Sequence, residues 1–141
     1  MNAQDNVQVV QQMFVALGNG NLAAALNAYA EDVDFRSPVT RTESANISWA
    51  KPRHGREEVA TFFKELSEIV AIDKMEPLEI TAEGDRVIVE GRNRFTVRST
   101  GRNLEHDWVM VFKLREGKIV RNCHYYDTGD VLIAIRGEKP I

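Results

Sequence analysis

The stretch EHDWVMVFKLREGKIVRNCHYYDTGD, Glu105 to Asp130, decides the fold. Before the REGK join, His106, Trp108, Met110, Phe112 and Leu114 recur at every second position, the period of a strand with one buried face. After it a second strand runs from Lys118 to Tyr126, and so short a Gly-bearing join holds the two antiparallel. On the second strand Val120, Asn122, His124 and Tyr126 share one face, and Ile119, Arg121, Cys123 and Tyr125 the other. Alternation alone does not say which set points inward. Asp127 and Thr128 then suit the cap of a short apolar helix, DVLIAI.

Working back, two more strands are expected, Lys74 to Ala82 and Arg86 to Ser99, joined by EGD and followed by TGRN. Ahead of them GREEVATFFKELSEIV sets Val59, Phe62, Phe63, Leu66, Ile69 and Val70 on one helical face, with Glu57 and Glu58 at the positive end of the helix dipole. Val7, Val10, Met13, Phe14 and Leu17 mark a first helix stopped by Gly18 and Gly20. A second begins at Asn21, carries Leu22, Leu26 and Tyr29, and ends near Glu31. VDFRSPV reads as a short strand closed by Pro38. Val39 to His54, VTRTESANISWAKPRH, has no period and reads as a long surface loop holding Trp49, of the kind that covers binding sites. Helices followed by a four-strand meander predict an α+β domain whose helices cover one face of a curved, mostly antiparallel sheet. Such a sheet wraps into a cone with a pocket in its mouth.

With 141 residues and 43% hydrophobic composition the chain has material for one core, and residues 1–141 are read as a single domain. A net charge of -3 gives no reason to expect nucleic acid or an anionic membrane as partner. No run approaches the roughly 18 apolar residues of a membrane span. The lone Cys123 has no intramolecular disulfide partner, and the start MNAQDNVQVV has no signal-peptide pattern, so a cytoplasmic setting is expected. The histidines at 54, 106 and 124 lack carboxylates at ligand spacing, and neither a metal nor a cofactor is expected.

The order of these elements, with GREEVATFF, EGDRVIVEG, VFKLREGKIV and HYYDTGD, resembles the SnoaL-like branch of the nuclear transport factor 2-like superfamily. The resemblance spans about Val7 to Ile135, and its specificity lies in the order and spacing of motifs. It implies a conical α+β barrel, a deep pocket between helices and sheet, and a homodimer. It also implies that His124 faces inward. The outer sheet face, with Val109 and Val111 between Asp107 and Lys113, would form the dimer contact.

Two chemistries of related families fit poorly. Ketosteroid isomerases pair a carboxylate base with an oxyanion hole that includes a protonated aspartate. The matching positions here are Ser37 for the base, Met13 or Phe14 for a helix tyrosine, and Met110 for the aspartate. Limonene epoxide hydrolases use an Arg-x-Asp pair and a last-strand aspartate; here Arg92, Arg94 and His124 stand there. Along Arg86 to Ser99 simple alternation buries Val87, Val89, Phe95 and Val97 and turns both arginines outward, whereas the resemblance turns them inward. A bulge at Gly91 would reconcile the two, and the inward register is adopted as the expectation.

On that footing His124, Arg92 and Arg94 are the catalytic candidates. Phe14, Trp49, Phe62, His106, Trp108, Met110, Phe112, Asn122 and Tyr126 are the candidate ligand contacts. The plain reading of His124 is a half-buried strand histidine, that of His106 a solvated strand end beside Glu105 and Asp107, and that of the aromatics ordinary core. Cys123 faces away from His124, which argues against a Cys and His nucleophilic pair. The expected function is a cofactor-free isomerase or cyclase that moves a proton next to a carbonyl of a cyclic or aromatic substrate. Its rivals are a binding module for an acidic or aromatic metabolite and an epoxide hydrolase-like enzyme.

Overall fold

The structure, a computed structural model, describes residues 2–41 and 47–137. In chain order it contains α1 (Ala3–Gly18), α2 (Leu22–Leu26), β1 (Tyr29–Arg36), β2 (Arg53–His54), α3 (Arg56–Ile69), β3 (Val70–Glu83), β4 (Arg86–Val97), β5 (Asn103–Arg115), β6 (Lys118–Tyr126) and α4 (Thr128–Arg136). The strands form a six-stranded sheet in the order β2-β1-β6-β5-β4-β3. All neighbours are antiparallel except β1 and β6, which run parallel. This is the expected α+β cone: a curved sheet with helices filling its concave side.

Local chemistry explains the elements. Asn2 and Asp5 form a capping box that satisfies the first amides of α1, and Val10, Met13 and Phe14 are its buried face. Asp127 caps α4 by accepting from Gly129 N and Asp130 N, as its position before DVLIAI suggested. The tight join between β5 and β6 places both Glu116 (φ 51°) and Gly117 (φ 77°) in the left-handed region, the conformation that matches the twist of a two-residue hairpin. Aromatic contacts tie helices to sheet, with Phe14 stacked 5.7 Å from Trp108 and Phe35 lying 4.7 Å from Phe62.

Three expectations are corrected. Tyr29 is not on the second helix, which ends at Leu26; it opens β1. The Val39 to His54 segment is not a surface loop where it is described: Ile47, Trp49, Ala50 and Arg53 are buried, and Arg53–His54 pairs with β1. Residues 42–46 of that segment lie outside the described residues. Arg53 Nη2 holds the segment down by donating to Trp49 O (3.3 Å) and to Glu65 Oε2 on α3 (2.9 Å).

The third correction concerns register. β4 pairs with β5 without interruption from Arg86 to Thr96, so Gly91 is no bulge. The irregularity lies across from it, between Pro77 and Glu79 of β3, where it displaces β3 and leaves the alternation of β4 intact. Val87, Val89, Asn93, Phe95 and Val97 are therefore buried, while Arg92 and Arg94 are exposed on the outer face. A true break occurs in β6: the register slips between Lys113 and Leu114, so that Ile119 enters the core in place of the expected Val120.

Gly91 has a different reason to be glycine. A Cβ there would sit 2.2 Å from the Trp108 ring and 2.6 Å from the carbonyl oxygen of Glu76. The backbone of β3 cannot step aside as a side chain could. Gly91→Ala is accordingly expected to destabilise by about 1–3 kcal/mol or more through overpacking. Urea denaturation checks this; unchanged stability would show that Trp108 has room to move.

Candidate functional site

A cavity of about 590 Å³ opens between the helices and the concave sheet face. Its buried wall is built by β6, whose two-residue period sets Asn122, His124 and Tyr126 along one line. From β5 come His106 and Met110, from β4 Asn93 and Phe95, from β1 Phe35, and from the bend just after it Ser37. Most of the wall is apolar, so a polar atom there matters individually.

Three such atoms have no hydrogen-bond partner among the described residues: His124 Nε2, Asn122 Nδ2 and His106 Nδ1. Native proteins rarely leave buried polar groups unpaired, and three on residues that line one cavity single it out as a candidate ligand site. For two of them the other side of the group is fixed. His124 Nδ1 lies 2.8 Å from Ser37 Oγ, and Asn122 Oδ1 accepts from the Tyr29 hydroxyl at 3.0 Å.

Ser37 also bonds the Tyr126 hydroxyl, which accepts in turn from Trp49 Nε1 at 3.0 Å. Because an indole N–H only donates, Tyr126 is the acceptor in that bond and keeps its own proton to give. The chain from Ser37 has two consistent protonation patterns. If His124 Nδ1–H donates to Ser37 and Ser37 donates to Tyr126, then Nε2 carries a lone pair with no partner among the described residues, and Tyr126 O–H keeps a proton to donate. If every proton shifts one bond the other way, Nε2 becomes a donor. Either way the imidazole is neutral: burial, with a smaller push from His106, lowers the His124 pKa from 6.5 to about 3. Burial also holds the Tyr126 hydroxyl protonated, with its pKa raised to about 12.

Of the catalytic candidates, His124 is in the cavity. Arg92 and Arg94 are not: both lie on the outer face, where Arg92 Nε donates to Asp107 Oδ1 at 3.0 Å and that bond raises its pKa further. Phe14, Trp49, Phe62, His106, Met110, Asn122 and Tyr126, of the candidate ligand contacts, line the cavity. Trp108 and Phe112 sit one layer behind it. Trp108 stands edge-on to His124 at 5.4 Å and donates to Asn93 Oδ1 at 2.7 Å, so it braces the site from the core. His106 is buried and not solvated, with its pKa lowered chiefly by burial.

Sequence reasoning had no role for Ser37, Tyr29 or Asn93. Ser37 stands where a carboxylate base was sought, and it is the parallel pairing of β1 with β6 that carries it to His124. The unbroken alternation of β4 would have found Asn93.

These features define the class: an α+β cone with a buried histidine in an apolar, polar-tipped pocket. The chain matches the SnoaL-like domain over residues 10–122 and belongs to that family. Among solved structures, a nuclear transport factor 2-like protein from Burkholderia xenovorans LB400 is 32% identical, with a TM-score of 0.81 and coverage of 96% of this chain and 98% of that one. TerC, crystallised with polyporic acid, has a TM-score of 0.81 at 18% identity over 94% of this chain and 98% of its own. A Xanthomonas campestris protein named as a candidate polyketide cyclase has a TM-score of 0.77 at 21% identity, covering 96% and 99% of the two chains. The last two likenesses show shared fold alone. No curated protein matches the chain.

The buried neutral histidine links the site to stability. The folded pKa of His124 lies below its unfolded value of 6.5, so the unfolded chain takes up a proton first as pH falls. Its contribution is complete above pH 6.5 and is lost as pH falls towards about 3. The slope is about 1.4 kcal/mol per pH unit for one such group, and His106, shifted the same way, adds to it. Urea midpoints between about pH 7 and about pH 4.5 should fall steeply in the wild type and less steeply in His124→Gln. Equal slopes would mean that His124 titrates normally in the folded protein.

Proposed function

We propose that the protein is a cofactor-free enzyme of isomerase or cyclase type that moves a proton at a carbon next to a carbonyl, on a cyclic or aromatic substrate. The observation that carries this is the unpartnered Nε2 of a neutral, Ser37-held His124 in the same buried wall as the unpartnered Nδ2 of Asn122. In this reading Nε2 takes the proton from carbon. Asn122 Nδ2–H and Tyr126 O–H donate to the oxygen on which the enolate charge develops. Ser37 accepts from Nδ1–H, which fixes the tautomer and supports the imidazolium once it forms.

A base with so low a pKa works only while the negative enolate is beside it, because that charge raises the affinity of the imidazole for the proton. The low basicity is also what favours the second reading, a binding module in which His124 and Asn122 hold a neutral carbonyl or hydroxyl compound without chemistry. The epoxide hydrolase-like reading has lost the one residue that matched its pattern, since Arg92 lies outside the cavity.

Hydrogen exchange in heavy water separates the first two. With cyclic and aryl ketones, the wild type should accelerate exchange next to the carbonyl, and His124→Gln should lose about 10²–10⁴-fold of that acceleration. Ser37→Ala should lose less, mainly in kcat, and Ser37→Thr should restore it because the hydroxyl returns. The pH profile of kcat/KM should stay level well below 6.5, the pKa of an ordinary histidine. Binding without exchange would establish the binding module instead.

We also propose that the protein is a homodimer joined through the outer sheet face. Ile88 pairs with Val111 and Val109 with Tyr125, which makes an apolar stripe running across the strands. Ile88 and Tyr125 are exposed in the isolated chain, and Leu78 adds to the same face. Sedimentation at micromolar concentration tests it, and a monomer would contradict it.

A further inference from the structure

The cavity is not uniform in charge. Among the described residues its buried end, around His124, Asn122 and Tyr126, carries no ionised side chain, whereas its exposed lining at the junction of α3, β3 and β4 carries Lys64, Lys74, Arg98 and Asp73. Three cations stand against one carboxylate, on a chain whose net charge is -3. Existing partners do not use up this excess. Lys74 pairs with Glu76 at 3.3 Å, and Asp73 is engaged by the Thr96 hydroxyl at 2.7 Å. Among the described residues no ion pair includes Lys64 or Arg98.

Arg98 is nevertheless positioned. Its Nε donates to Ser67 O at 2.8 Å, and its backbone N–H donates to Ile69 O at 2.9 Å, so the guanidinium is anchored to the end of α3 by neutral carbonyls. Among the described residues its charge has no ion-pair partner, and of its guanidinium nitrogens only Nε is engaged. A guanidinium fixed in this way suits bidentate binding of a carboxylate better than a mobile lysine does.

We propose that the ligand of this cavity is amphiphilic: a neutral ring with a carbonyl or hydroxyl at the buried end, and a carboxylate that stays at the mouth on Arg98 and Lys64. This rests on the reading of the cavity as a small-molecule site and is independent of whether a proton is moved there. Anion binding belongs at the mouth because the buried end offers only neutral donors, and an ionised group there would be desolvated without a countercharge. The pattern replaces the role that inward-facing Arg92 and Arg94 would have had.

The test is a matched pair of probes, 2-acetylnaphthalene and 6-acetyl-2-naphthoic acid, titrated calorimetrically into the full chain. The acid should bind about tenfold more tightly at low salt, and the advantage should shrink severalfold at high salt because the mouth is solvent-exposed. Lys64→Gln with Arg98→Gln should bring the acid to the affinity of the ketone without changing the ketone, whose unchanged binding also reports an intact cavity. Asp73→Asn should strengthen the acid alone. Equal wild-type affinity for both probes, or an acid preference that survives the double substitution, overturns the proposal while leaving the pocket intact. Binding of neither probe overturns the small-molecule reading itself, and this inference with it.

Discussion

The hydrogen bond between Ser37 and His124 is the join on which the site depends. It connects the residue just after β1 to the last part of β6, strands far apart in sequence that lie side by side because β1 enters the sheet parallel to β6. A backbone bond from Val39 N to His124 O, 3.1 Å long, fixes the same junction from the other side. Without a partner, Nδ1 would be a second unsatisfied atom on one buried ring, at a cost of about 1–3 kcal/mol. With it, the ring is held in one orientation, and its other nitrogen is left for whatever enters the cavity.

Burial works on this site in two directions. It removes the charge from His124 and keeps the proton on Tyr126, so both groups stay neutral across the ordinary pH range. A neutral, dry wall with a few oriented donors interacts strongly with charge that develops during a reaction, because little solvent screens it. The same wall resists a ligand that arrives already ionised. The distribution of charge, neutral inside and cationic at the mouth, therefore constrains both the chemistry and the shape of the ligand.

Much of the fold was legible because its signals are periodic. The alternation on either side of REGK gave the last hairpin, and the spacing of Val59, Phe62 and Leu66 gave α3. Tyr29 was misplaced because an aromatic three residues beyond Leu26 continues a helical face as well as it opens a strand, and only its pairing opposite Ile119 decides the matter. At Gly91 the resemblance and the period point to opposite faces. The period was right: the irregularity belongs to the neighbouring strand, which no pattern within β4 could reveal. The site was legible where one strand supplied it, as with Asn122, His124 and Tyr126. It was illegible where a parallel crossover delivered Ser37 or where a loop packed inward behind Arg53.

The most direct measurement is the nitrogen-15 spectrum of the His124 imidazole followed through acid pH. The expected result is a neutral ring that does not titrate near 6.5, protonated on Nδ1 towards Ser37, with an Nε2 signal that shifts when a ketone enters the cavity. A titration centred near 6.5, or an Nε2 signal indifferent to ligand, would contradict it.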